Sequence, residues 1–237
     1  MTALPPPPER PARVLAIGAH PDDVEFAAGA TVARLRAGGA EVTLAVCTDG
    51  ARGGGAGVTD LPARRRAEAE RAAAALGCRQ LLFLGFRDGE LTAEEDLRRK
   101  LVREIRRARP ELVLAHDPTT LWLRVGDVDR LGHSDHRAAG TGVLDAIYPR
   151  AGLAAFYPDQ VAAGLQPWFV REIWLFDTAE PDHFVPIAEY AEAKRLALEA
   201  HESQDPGMLL RDAEARAALW SQRAGVPSEA FRRLRAW

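Results

Sequence analysis

Short apolar runs alternate with longer stretches of helical periodicity along this chain. Val14-Leu15-Ala16-Ile17-Gly18-Ala19 is apolar throughout and ends at small residues, as a strand buried on both faces does. Val24, Ala28, Val32 and Leu35 follow at about one-turn spacing, and Gly38-Gly39 stops that helix. Val42-Thr43-Leu44-Ala45-Val46-Cys47 is a second strand. A glycine-rich loop at 50–57 carries Arg52, and the Ala- and Arg-rich run 62–76 predicts a helix closed by Gly77. Leu81-Leu82-Phe83-Leu84 is a third strand. Thr92-Ala93-Glu94-Glu95 has the form of a capping box, ahead of a helix with Leu97, Leu101, Ile105 and Ala108 on one face. Pro110 ends that helix, and Glu111-Leu112-Val113-Leu114-Ala115 is a fourth strand. A long polar stretch, 116–132, precedes a helix opening near Ser134. Residues 172–176 predict another strand and 186–201 a helix, and the amphipathic tail 212–237 reads as helical.

Strands alternating with helices predict an α/β fold, a Rossmann-like three-layer sandwich with a mostly parallel sheet. Right-handed crossovers in the doubly wound order set strand one beside strand four. The residues that follow those two strands should therefore meet where the winding reverses, which is where such sheets bind ligands.

Composition adds bounds. The 237 residues carry 31 Lys+Arg against 34 Asp+Glu, a net charge of −3, which argues against a basic nucleic-acid surface. Met1 to about Pro11, with Pro5 to Pro8, reads as a flexible leader, and residues 12–237 as a single domain. The start has neither a basic nor an apolar targeting region, and no run of about 18 apolar residues predicts a membrane span. Cys47 and Cys78 alone make no disulfide framework, so a reducing cytoplasm is the default location.

Chemistry concentrates at the two strand ends predicted to meet. His20-Pro21-Asp22-Asp23 follows strand one, and His133-Ser134-Asp135-His136 lies beyond strand four. His, Asp and His are borderline ligands suited to Zn²⁺, and three protein ligands leave the open positions of a catalytic site. If His20, Asp23 and His136 hold the metal, Asp22 is free to act as base. The bland alternative is that Asp23 only caps the next helix. Two other classes compete: a metal-independent binding module of the same fold, whose acidic residues would bind ribose or cap helices, and a metal phosphoesterase. The first βα turn lacks Gly-x-Gly-x-x-Gly, and Gly53-Gly54-Gly55 lacks the Lys-Ser/Thr of a P-loop.

Ala19-His20-Pro21-Asp22-Asp23 with His133-Ser134-Asp135-His136 resembles the PIG-L (LmbE-like) family of zinc-dependent N-deacetylases. Thr48-Asp49-Gly50-Ala51-Arg52-Gly53, Arg65 with Glu68, Leu84-Gly85-Phe86-Arg87-Asp88-Gly89 and Ala200-His201-Glu202-Ser203-Gln204 also fit, so the likeness spans about 13–201. The resemblance implies His20, Asp23 and His136 as zinc ligands and Asp22 as general base. It implies that His133 polarises or protonates the tetrahedral intermediate and that Arg52 contacts substrate. It also implies an N-acetyl amino-sugar conjugate of GlcNAc type as substrate, and it is compatible with a homo-oligomer. Two departures bear on subfamily: Val24 stands where many members have Glu, with Glu25 next, and Gly29-Ala30 replaces the usual Gly-Gly.

Several residues have readings of less consequence. His116-Asp117, at the end of strand four, suits a partner behind the metal ligands. His201 suits a place near the site, and His183 a surface turn. Arg64, Arg65 and Arg66 read as a solvated helix face. Trp122, Trp168 and Trp174 fit either a sugar pocket or core and rim. Arg232-Arg233 belongs to a tail that is free or docks on another subunit.

Overall fold

The structure, a computed structural model, describes residues 10–53, 60–125 and 127–236. All of the leader but Arg10 and Pro11 lies outside them, as do Gly54, Gly55 and Gly57 of the glycine-rich loop and Trp237 of the tail.

Five parallel strands form the frame: β1 (Arg13–Gly18), β2 (Glu41–Thr48), β3 (Gln80–Phe86), β4 (Leu112–His116) and, after a short hairpin and two helices, β7 (Glu172–Phe176). The hairpin is β5 (Trp122–Val125) with β6 (Val128–Leu131), paired antiparallel within the polar stretch after β4. Two more antiparallel strands, β8 (His183–Pro186) and β9 (Ser228–Arg235), complete a seven-stranded sheet of order β3-β2-β1-β4-β7-β9-β8. β1 and β4 are neighbours, with Leu15 opposite Val113, so the winding reverses where the sequence places the reversal.

The helices are α1 (Asp23–Ala37), α2 (Leu61–Ala75), α3 (Glu95–Ala108), α4 (Ser134–Asp145), α5 (Pro158–Ala162), α6 (Ala191–Glu199) and α7 (Pro206–Ala224). Side chains alternate across the sheet and so build two cores. Leu15 and Ile17 pack with Leu97, Leu101 and Ile105 of α3 and Val143 of α4. Val14 and Ala16 pack with Val24, Ala28 and Val32 of α1, Ala72 of α2 and Ala197 of α6. The three-layer arrangement follows.

Four local expectations are corrected. The tail is not one helix: α7 ends at Gly225, whose φ of +79° suits glycine, and the chain returns as β9. β9 finds unpaired backbone on β7, so Arg232 and Arg233 lie in the sheet and face Glu180 and Glu172 instead of forming a free tail. His183 belongs to β8, not to a surface turn. The Thr92 capping box does not form, because α3 opens at Glu95 with Glu94 before it and no capping side-chain bond.

β9 is fastened by a buried charge. Glu229 accepts from the backbone N–H groups of Ala30 (3.0 Å) and Thr31 (2.7 Å) in the middle of α1, and from Lys194 Nζ of α6 at 2.6 Å. The same ammonium donates to the Phe26 carbonyl at 2.7 Å. Gly29 admits the lysine stem, since a Cβ there would stand 3.2 Å from Lys194 Cγ. Glu229→Ala should therefore strand a buried cation and two helix N–H groups, at a cost of about 3–5 kcal/mol in chemical denaturation. A loss under about 1 kcal/mol would show that the network is incidental.

Candidate metal centre at the β1–β4 switch point

The turn after β1 is tightly specified. Thr48 of β2 donates to the Ala19 carbonyl through both its backbone N–H (2.8 Å) and its hydroxyl (2.9 Å). Gly18 leaves room for Asp23, whose Cβ would stand 3.0 Å from a Cβ at that glycine. Asp22 takes φ +123°, a backbone that side chains other than glycine rarely adopt. The result sends two adjacent carboxylates in opposite directions.

Asp23 points toward the imidazoles. Its Oδ2 accepts from the His20 backbone N–H at 2.7 Å and its Oδ1 lies 3.1 Å from His136 Nε2. His20 Nδ1 is 3.3 Å from His136 Nε2 and 3.5 Å from Asp23 Oδ2. The capping alternative for Asp23 fails, because it is the first residue of α1 and no side chain caps that end. His20, Asp23 and His136 thus converge, each offering one ligand atom within 4.8 Å of the others. The donor set fits a borderline divalent ion. So does what lies behind it, because metal-binding histidines present their second nitrogen to a carboxylate. His20 Nε2 faces Asp88 (3.1 Å) and Asp135 (3.4 Å), and His136 Nδ1 faces Asp177 at 3.9 Å.

Asp22 points away, to Arg65 at 2.9 Å. Arg65 is not on a solvated face: it is 2% exposed, and it also donates to the carbonyls of Pro21 (2.6 Å) and Gly50 (3.0 Å). Gly50, at φ +62°, is required here, since a Cβ would come within 2.6 Å of the guanidinium. One turn on, Glu68 is also buried and accepts from Ser203 N–H and Oγ.

His133 stands beside the triad, its ring centroid 4.7 Å from that of His20. Its Nδ1 accepts from the Asp135 backbone N–H at 3.1 Å and caps α4. A cleft of about 230 Å³ opens over the cluster, bordered by His133, His136 and Leu123 and Leu131 of the hairpin. Two larger grooves, about 560 and 670 Å³, border other residues and contain none of the triad. Arg52 is exposed and does not border that cleft. Its backbone N–H donates to Asp88 at 2.9 Å and its side chain pairs with Glu90. Of the tryptophans, Trp122 is an exposed residue of the hairpin, Trp168 packs under Arg13 and Arg109, and Trp174 bonds Glu172 within the sheet. His201 is fully buried, 3.8 Å from Glu25.

A model of the family described as GlcNAc-PI de-N-acetylase, PIG-L, matches residues 15–147. The chain belongs to the PIG-L family. Diacetylchitobiose deacetylase of Thermococcus kodakarensis is 36% identical over 82% of this chain and 70% of its own length. A 1D-myo-inositol 2-acetamido-2-deoxy-alpha-D-glucopyranoside deacetylase of Nakamurella multipartita is 31% identical over 82% of this chain and 80% of its own. Among solved structures, N,N'-diacetylchitobiose deacetylase from Pyrococcus horikoshii superposes with a TM-score of 0.86 at 30% identity, covering 97% of this chain and 86% of that one. No described helix of this PIG-L member is long and apolar enough to cross a membrane.

Charge separates the roles within this PIG-L site. Burial raises the Asp22 carboxyl to about 7, with Arg65 opposing and Asp23 adding to the rise. Burial works against the Asp23 anion as well, but His136 and His116 outweigh it and hold that carboxyl well below the usual range. For His20 burial opposes the charged form, yet Asp23 and Asp88 raise it to about 10. His116 behaves alike, raised to about 9 by Asp23 and Asp177 against its burial. His133 is lowered, by burial first and then by His20.

The partner roles of Asp88, Asp135 and Asp177 are not marked in the sequence, although Asp88 and Asp135 sit inside the family-like motifs. Asp177 carried one signal, an acid directly after a strand that turns out to border β4. His116 has the supporting place expected of it, 3.0 Å from Asp23.

In metal-free protein the raised groups set a pH dependence. A histidine whose folded pKa lies above about 6.5 stabilises fully below that pH and loses the contribution as pH climbs past the folded value. For His116 and His20 those values are about 9 and about 10. The Tm of chelator-stripped protein should therefore fall steadily between about pH 6.5 and 10 by calorimetry. A flat or rising Tm across that window would contradict these environments.

Proposed function

We propose that this PIG-L member is a metal-dependent amide hydrolase that removes the N-acetyl group from a GlcNAc-type amino-sugar conjugate, with residues 12–237 as one catalytic domain. The observation that carries the proposal is the divergence of the paired carboxylates: Asp23 joins His20 and His136, whereas Asp22 is held apart by Arg65. His20, Asp23 and His136 would hold the metal, taken as zinc on donor chemistry. When bound there, such an ion supplies Lewis acidity toward the amide carbonyl and toward water.

The remaining work falls to the chain. Asp22, raised to about 7, suits a base that accepts the proton of the attacking water near neutral pH. Arg65 fixes its direction. His133 donates from Nε2 to the oxygen on which negative charge develops. Because its Nδ1 lone pair is committed to the Asp135 N–H, the neutral ring carries its proton on Nε2. A positive charge on His133 is not needed for this, and its lowered affinity for a proton agrees. Asp22, once protonated, or His133 can return a proton to the departing amine. Arg52, exposed and anchored through its backbone N–H on Asp88 behind His20, would contact the substrate outside the cleft. The acetamido-sugar substrates in the names of the relatives support the substrate class.

The variants divide the roles. His136→Ala should lose bound zinc while remaining folded, and Asp22→Asn should keep zinc yet lose about 10²-fold or more of turnover in an amine-release assay on N-acetylated amino sugars. An Asp22→Asn protein of near wild-type rate would end the assignment of the base. His133→Ala should retain zinc and KM and lose about 10²–10³ in kcat. The alkaline limb of the pH–rate profile should survive in that variant. If that limb vanishes instead, the ring acts as a charged acid.

A further inference from the structure

Asp177, which stands behind His136, borders the cleft together with Arg216, a charged residue that the mechanism does not use. Asp177 directly follows β7, at φ +56°, a left-handed backbone that a non-glycine residue rarely adopts. Its Oδ2 lies 3.0 Å from His116 Nδ1 and 3.9 Å from His136 Nδ1, and its Oδ1 lies 2.6 Å from Arg216 Nη2. His116 carries the connection onward. Its Nε2 is 3.0 Å from Asp23 Oδ2, and its ring stacks on that of His136 at 4.0 Å and 22°. One carboxylate therefore stands behind two members of the triad: behind His136 at 3.9 Å, and behind Asp23 through His116.

Arg216 comes from α7, beyond the 15–147 span of the family match, and its guanidinium lies 5.2 Å over the Phe26 ring of α1. It pairs by charge with the carboxylate oxygen that faces neither histidine. Fixing tautomer and ring direction from behind is what supporting carboxylates do for metal-binding imidazoles, and losing one typically weakens metal affinity by about 10–100-fold. The competing account is that Arg216 and Asp177 only pin α7 to the sheet.

We propose that Asp177 and Arg216 are positioning residues that set the metal affinity of the His20, Asp23 and His136 triad, and so make that affinity depend on the C-terminal helix. The inference rests on the reading of that triad as a metal site. It goes further in assigning the tuning to a helix that the family match does not reach.

The test titrates zinc alone into chelator-stripped full-length protein against a chromophoric competitor, and records the Tm of each metal-free variant. Asp177→Ala and Arg216→Ala should each weaken zinc binding about 10–100-fold. Asp177→Asn, which keeps the shape, should fall between them and wild type, and Arg216→Lys should recover part of the loss. Asp212→Ala serves as the control, because it breaks the Arg130–Asp212 pair on the same helix without touching the triad. It should leave zinc affinity within about twofold, against the larger change expected behind the triad. If wild type binds about one zinc per chain and all of these variants bind as tightly, whatever their Tm, the positioning role is overturned and the metal site stands. If wild type binds no zinc, the metal reading and this inference fall together.

Discussion

One buried carboxylate organises this molecule's chemistry. Asp23 lies within 3.0–3.5 Å of nitrogens from three imidazoles that arrive on different elements: His20 after β1, His116 at the end of β4 and His136 from α4. None of these can be moved independently. β1 must lie beside β4, the turn after β1 must close tightly, and α4 must start beyond the strand end. The parallel sheet supplies the first condition, Gly18 and the Thr48 bonds to Ala19 the second, and the His133 cap on Asp135 N–H the third. Acids at the far nitrogens then stop the cluster from rotating: Asp88 and Asp135 behind His20, Asp177 behind His116.

The same turn explains how neighbouring aspartates acquire different chemistry. Helical geometry at Asp23 and the positive φ at Asp22 throw the side chains apart. Asp23 enters a cationic environment and stays ionised. Asp22 is half-buried, and desolvation with Asp23 and Glu25 nearby outweighs Arg65 and His201, so its carboxyl is raised to about 7. Divergent environments for paired carboxylates are how one site holds both a stable anion and a proton acceptor.

The parallel core was legible because its strands are buried on both faces and read as continuous apolar runs, and the β1–β4 contact followed from topology alone. His20, Asp22, Asp23, His133 and His136 were legible because they bunch at two strand ends. Elements away from the parallel core were not. β9 reads Ser-Glu-Ala-Phe-Arg-Arg-Leu-Arg, and its buried Glu229 looks like a surface residue until Lys194 and the α1 backbone are in place. Arg65 was hidden for the same reason, since its three acceptors come from Pro21, Gly50 and Asp22, each far from it in sequence. The hairpin of β5 and β6 is only four residues a side, too short for its alternation to stand out from a polar loop. Asp177 gains its meaning only from the non-local placement of β7 beside β4. Buried polar residues paired over long range carry no periodic signature, and here they are the ones that fix the site.

X-ray absorption at the zinc edge, on wild-type protein loaded with one equivalent, addresses the central claim most directly. Two imidazole nitrogens at about 2.0–2.1 Å and one carboxylate oxygen at about 2.0–2.2 Å are expected, with solvent completing the shell. A shell containing sulfur, or one with three or more imidazoles, would mean that His20, Asp23 and His136 are not the metal's ligands.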